Sequence, residues 1–175
     1  GTRPDCVDDA KLDYLAELQA QGHFIQLELG IESWYDSVLE HINRGHDFDC
    51  ARRAVEAAAA RGLRTCAHFI LGLPGETREM MLDACGTISS LPLHSVKFHQ
   101  LQIVKVTAME REYAEHPERF EQFSLEEYLD FITDVLESLR PELYIERVAG
   151  EVPPRFVGER RWGLVRNFQL LHMLD

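Results

Sequence analysis

The sequence predicts an α/β fold: a parallel sheet whose strands are linked by helices, arranged as a wide or incomplete βα barrel. Three observations predict it. Apolar β-type runs alternate with amphipathic helical stretches along the chain. The recurring unit is a strand followed by a helix, and such crossovers bring successive strands in parallel. Three successive strands also carry ionisable or amide groups inside apolar sequence. A tightly packed eight-stranded core would not hold such a row.

The elements follow in order. Asp8 to Gln21 reads as a helix, with Leu12, Leu15, Ala16 and Leu18 as its apolar stripe and Gly22 as its stop. Phe24 to Ile31 is the first strand, and a short helix at Tyr35–Asn43 leads to a turn at Gly45-His46. Asp47 caps a helix from Phe48 to Arg61, which Gly62 closes. Arg64 to Leu71 is the second strand. It runs into Gly72-Leu73-Pro74-Gly75, after which Thr77 caps a helix to about Leu91. Ser95 to Val104 is the third strand. Ser124 and Glu127 form a capping box before a helix striped by Leu125, Tyr128, Leu129, Ile132, Val135, Leu136 and Leu139, and Pro141 stops it. Leu143 to Val148 is a last strand, Pro153-Pro154 a loop, and Glu159 to Leu174 a terminal helix.

Composition narrows the function. With 30 acidic against 18 basic residues, the 175-residue chain carries a net charge of -12. No dense Lys/Arg run offsets this, which argues against a general binder of nucleic-acid backbone. No apolar stretch approaches the roughly 20 residues that span a bilayer, and no signal-peptide pattern opens the chain. A cytoplasmic protein is expected. Its first residue is Gly1 rather than Met, and it reads as a piece of something longer. The four cysteines, Cys6, Cys50, Cys66 and Cys85, have none of the short spacings of zinc or iron–sulfur loops, so no metal ligand is assigned. They read as buried free thiols in a reducing compartment.

The polar groups lie face by face. Gln26, Glu28, Gly30 and Glu32 share one face of the first strand, Cys66, His68 and Gly72 one face of the second, and Lys97 and His99 one face of the third, with Gln100 and Gln102 opposite. Burying such groups unpaired would cost several kcal/mol each, so a wet lumen is the simplest resolution. Pairing across the sheet is the other, and a lone His68 or His99 reads equally as a satisfied core histidine. The Gly72–Gly75 turn sits where ligands bind in such folds, at a strand end that opens a helix. It lacks the Gly-Lys-Ser/Thr ending of a phosphate loop and reads as well as a tight turn.

In order along the chain stand Gly1-Thr-Arg-Pro-Asp-Cys6, Leu27-Glu-Leu-Gly-Ile-Glu-Ser33, Ile42-Asn-Arg-Gly-His46, His68-Phe-Ile-Leu-Gly-Leu-Pro-Gly-Glu76, the strand carrying Lys97 and His99, and Thr107-Ala-Met109. The series resembles the radical S-adenosylmethionine (SAM) superfamily. It is most similar to an uncharacterised bacterial family related to the Elongator catalytic subunit's radical SAM module, and more distantly to oxygen-independent coproporphyrinogen oxidases. The likeness spans essentially the whole chain. It implies the later strands of a partial (β/α)6 barrel over residues 1–140, with a strand-and-helix extension at 141–175. It implies SAM above a [4Fe–4S] cluster, reductive cleavage to a 5′-deoxyadenosyl radical, and hydrogen abstraction from an unknown substrate. A flavodoxin or ferredoxin would donate the electron.

By that resemblance, Glu28, Gly30, Glu32 and Ser33 would lie beside the ribose and amino-acid end of SAM. Arg44 would reach its carboxylate, although a helix-terminal cation explains Arg44 equally. His68 would lie near the ribose, and Gly72, Leu73, Pro74 and Gly75 would meet the adenine. Thr2, Arg3, Lys97 and His99 would face the same lumen. Two positions depart from the relatives: Glu32 stands where Gln is usual, and Val106 where Gly is usual, which puts the loop after the third strand in question. The family's C-x3-C-x2-C trio is absent. The cluster ligands are therefore expected in a segment before Gly1, and these residues alone are expected to be inactive. Loss of the earlier strands would expose the edge of the first strand to self-association. Two other classes stay open: an ordinary βα-barrel lyase or hydrolase using Glu28, His68 and His99, and a non-catalytic nucleotide-binding module. Trp162, Arg166 and Phe168 serve a packing helix, or alternatively cover a substrate.

Overall fold

In the computed structural model, residues 1–158, 162 and 165–174 are described. Four strands, β1 (Gln26–Glu32), β2 (Arg64–Leu71), β3 (Ser95–Gln100) and β4 (Tyr144–Arg147), form one sheet in the order β1-β2-β3-β4, every pair parallel. Helices α1 (Asp9–Ala20), α2 (Asp36–His41), α3 (Phe48–Ala60), α4 (Arg78–Ser90), α5 (Ala108–Glu115), α6 (Leu125–Ser138) and α7 (Asn167–Leu174) connect and flank them. This is the expected α/β architecture of parallel strands and helices.

The helix starts follow from their caps. Asp8, Asp47 and Thr77 accept from the backbone N–H of Lys11, Cys50 and Met80. Ser124 and Glu127 close the reciprocal box at 3.2 and 2.8 Å. Thr107 caps α5, a helix with no counterpart among the expected elements, by accepting from Glu110 N–H. Short charged helices without a strong apolar stripe leave little periodicity to read.

Burial alternates strictly along β1, as the period of two requires. Leu27, Leu29 and Ile31, with Ala67, Phe69, Leu71, Val96 and Phe98, are buried. They share one core with Val55 of α3, Met81 and Ile88 of α4, and Tyr128, Phe131 and Val135 of α6. The Tyr128 hydroxyl donates to the Val148 carbonyl and pins α6 to the chain after β4.

Several boundaries move. β1 starts at Gln26 because Phe24 stays 75% exposed beneath the Arg64 guanidinium. β3 ends at Gln100 rather than Val104, because Gln100 and Gln102 turn to donate to the Gly150 carbonyl. The terminal helix begins at Asn167, whose side chain accepts from Val148 and Ala149 N–H. Residues 159–161 and 163–164 of the expected helix lie outside the described residues, and Val165 and Arg166 precede the helix. Trp162 packs on Tyr128 and donates to the Phe123 carbonyl, whereas Phe168 is exposed. Only Cys66 and Cys85 of the four thiols are buried; Cys6 is exposed, which corrects the expectation of four buried thiols.

Candidate functional site

The face of the sheet opposite the helices is polar and half-exposed. Glu28 lies at its centre. It accepts from Lys97 Nζ at 2.6 Å and from His68 Nε2 at 3.0 Å, across two strand boundaries. Lys97 also reaches Glu146 of β4 at 3.4 Å, and Glu146 accepts from Gln26 and from Ser95. The lysine contact is the main cause that holds the Glu28 carboxyl below the usual carboxylate range. Both readings of the polar strands are therefore realised: the groups pair across the sheet, and the face they form remains open. The His68–Glu28–Lys97 triad suits a charged recognition surface, because the lysine holds Glu28 ionised.

Above this layer, His68 and His99 stack with ring centroids 5.6 Å apart. Burial is the largest force keeping both rings neutral, and the His99 pKa falls to about 4. A Cβ on Gly150 would stand 2.5 Å from His99 Nδ1, so only glycine leaves that ring its seat.

At the C-terminal end of β1 the register slips between Gly30 and Glu32, and Glu32 adopts φ 73°. A left-handed non-glycine residue at a bulge is strained, and such strain clusters at functional sites. Here it turns the Glu32 carboxylate onto Arg44, 3.0 Å away, while Arg44 donates to the Gly30 carbonyl at 2.6 Å. A Cβ on Gly30 would meet both groups, at 2.5 and 2.6 Å. The glycine is the cradle of the pair. Burial raises the Glu32 pKa against the pull of Arg44. Arg44 Nε is buried without a partner.

Other expected residues go elsewhere. Thr2 pairs with Leu29 as a parallel bridge at the outer edge of β1, and Arg3 holds Asp5 at the surface. Ser33 is fully buried and donates to Glu76 rather than facing the lumen. The Gly72–Gly75 turn is packed inward: Gly72, Leu73 and Pro74 are buried, Gly72 N–H meets Met81 Sδ, and Gly75 N–H meets the Arg119 carbonyl. Those two donors are not free for a ligand.

Sequence reasoning missed Glu76, Glu146, Arg147 and Gly150. Glu76 stands in the GLPGE motif, where the neighbouring cap Thr77 masked it. Glu146 and Arg147 show the same signal as the other strands, polar residues within a β run, but β4 is only four residues long.

Parallel βα units with polar strand ends, an arginine–carboxylate pair cradled by glycine and an open polar face define a four-stranded α/β sheet protein with a polar, half-exposed face. The chain belongs to the radical SAM superfamily: the family model for that superfamily matches residues 1–88, and the model for the radical SAM C-terminal domain matches residues 93–174. It is 34% identical to the uncharacterized protein YtqA of Bacillus subtilis over 99% of this chain and 53% of the relative. The archaeal Methanocaldococcus infernus Elp3 superposes with a TM-score of 0.75 at 20% identity, over 89% of this chain and 36% of that one. The Escherichia coli coproporphyrinogen III oxidase HemN, a radical SAM enzyme, gives 0.59 at 20% identity, over 77% and 30%. These structural likenesses show a shared fold. The chain spans about half the length of the curated relatives it matches. Among the described residues no helix is long and apolar enough to cross a membrane.

Proposed function

We propose that this chain supplies the SAM-holding part of a cytoplasmic radical SAM enzyme. The observation that carries the reading is the Arg44–Gly30–Glu32 arrangement, with its strained backbone and its buried, unpartnered Arg44 Nε. These residues fit SAM. Arg44 offers a planar donor set to the α-carboxylate, and Glu32 an acceptor to the ammonium or ribose hydroxyls. His68 lies one strand away, opposite Gly30 in the register. When bound and reduced, SAM supplies the radical that takes a hydrogen atom from substrate. The chain's own residues bind and orient it.

The residues present do not fit a [4Fe–4S] cluster. Among the described residues no three His, Cys, Asp or Glu side chains group as metal ligands. Burial pushes the Cys66 and Cys85 thiols up to about 11, which disfavours the thiolates a cluster needs. In this reading the cluster's cysteines, and the docking of a flavodoxin or ferredoxin, come from outside these 175 residues.

Equilibrium dialysis with labelled SAM tests the reading. The chain should bind SAM, and Arg44→Gln should lose roughly tenfold or more in affinity, the worth of a charge-assisted bond. Equal affinity in the two proteins would overturn it. So would an upstream reading frame that is complete and lacks C-x3-C-x2-C.

A further inference from the structure

A second cation faces the open side of the sheet. In the pairing of β3 with β4 the register slips between Val96 and Lys97, so that Ile145 pairs with Val96 and Arg147 with Lys97. Glu146 is the extra residue. A bulge re-aims the side chain that follows it, and neighbouring register partners in a sheet point the same way. Arg147 is thereby carried onto the face of Lys97, His68 and His99.

Its circumstances differ from those of the other cations there. Lys97 is held by Glu28 and Glu146, and Arg44 by Glu32. The described residues offer the half-buried Arg147 side chain neither an ion-pair nor a hydrogen-bond partner. Half-burying a guanidinium without a partner is unfavourable unless something supplies the counter-charge. Two residues along β3 from Lys97, on the same face, His99 Nε2 is buried and likewise unpartnered. The positive charge of Arg147 is felt at both imidazoles, adding to the burial that keeps them neutral. A neutral imidazole carries one N–H; on Nε2 it would supply a second donor on the face that carries Arg147.

We infer that Arg147 and His99 form an oxyanion subsite on the open face, and that the substrate carries a carboxylate or phosphate group that fills it. The inference takes the open face to be the substrate side of the proposed SAM site. One guanidinium and one imidazole in a chain of net charge -12 suit a single small anion rather than a polyanion.

The test titrates inorganic phosphate and, separately, acetate into the 15N-labelled chain at constant ionic strength, following the imidazole nitrogens by NMR. A saturable shift of the His99 signals is expected with at least one anion. Phosphate acting alone assigns a phosphate-bearing substrate, and acetate acting alone a carboxylate. Arg147→Gln should weaken the response roughly tenfold or more. Arg147→Lys should keep part of it, and Arg44→Gln should leave it unchanged. Absence of a saturable His99 shift with both anions, or an unchanged shift in Arg147→Gln, would overturn the inference. So would a short RNA that shifts His99 where neither small anion does. No SAM enters the titration, so its failure is separable from failure of SAM binding.

Discussion

Ser33 donates its hydroxyl to Glu76 Oε1 at 2.5 Å, joining the chain after β1 to the turn after β2 in a fully buried contact. The second carboxyl oxygen, Oε2, is buried with no partner. Burial is the main cause that lifts this carboxyl to about 7, against the hydrogen bond from Ser33. The unfolded chain releases the same proton near 4.5. The stabilisation tied to this proton is therefore complete below about 4.5 and lost as pH rises towards about 7, by up to roughly 3 kcal/mol. Urea unfolding of the wild type and Glu76→Gln at pH 5 and pH 8 checks this. The variant should gain stability relative to wild type at the higher pH; an equal difference at both would refute it.

Gly30→Ala should expel the Arg44–Glu32 pair, because the added methyl overlaps both side chains. The expected cost is about 1–3 kcal/mol, typical of overpacking, together with loss of SAM binding. Calorimetric melting and dialysis measure the two effects. Gly86→Ala, on an exposed position of α4 with open space around it, is the control and should stabilise by roughly 0.5–1 kcal/mol.

Val106 is 90% exposed and adopts φ 64°, a conformation that a β-branched side chain resists. The loop after β3 keeps the left-handed turn that a glycine would favour. Val106→Gly should raise stability by about 1 kcal/mol, since relief of left-handed strain exceeds the entropy glycine adds. A lower denaturation midpoint in the variant would contradict this account.

Anaerobic incubation of the chain with iron and sulfide should leave no stoichiometric [4Fe–4S] absorbance, because the two buried thiols are held protonated and no third ligand group joins them among the described residues. Formation of a one-to-one cluster would remove the basis for placing its ligands elsewhere.

The outer edge of β1 carries a single bridge among the described residues, from Thr2 to Leu29. An edge so lightly covered should drive reversible self-association at high concentration. Sedimentation velocity that shows only monomer across the accessible range would count against it.

Local signals were legible because they depend on neighbours a few residues apart. The caps at Asp47, Thr77 and Ser124, and the span of β2, needed only hydrogen-bond spacing and the strand period. β3 was read too long, since the residues that draw Gln100 and Gln102 away, around Gly150, lie some fifty positions on.

For the site, sequence by itself determined the chemistry present: polar residues at alternate positions of three strands, and an Arg and a Glu at a strand end. Periodicity sets which side chains share a face, and residue type sets their charge. Only the tertiary structure decided which of them meet. Register placed Glu28 between Lys97 and His68 and slipped Arg147 onto the open face. Packing turned Ser33 and the Gly72–Pro74 turn inward, where Ser33, from a loop over forty residues away, donates to the buried carboxyl of Glu76.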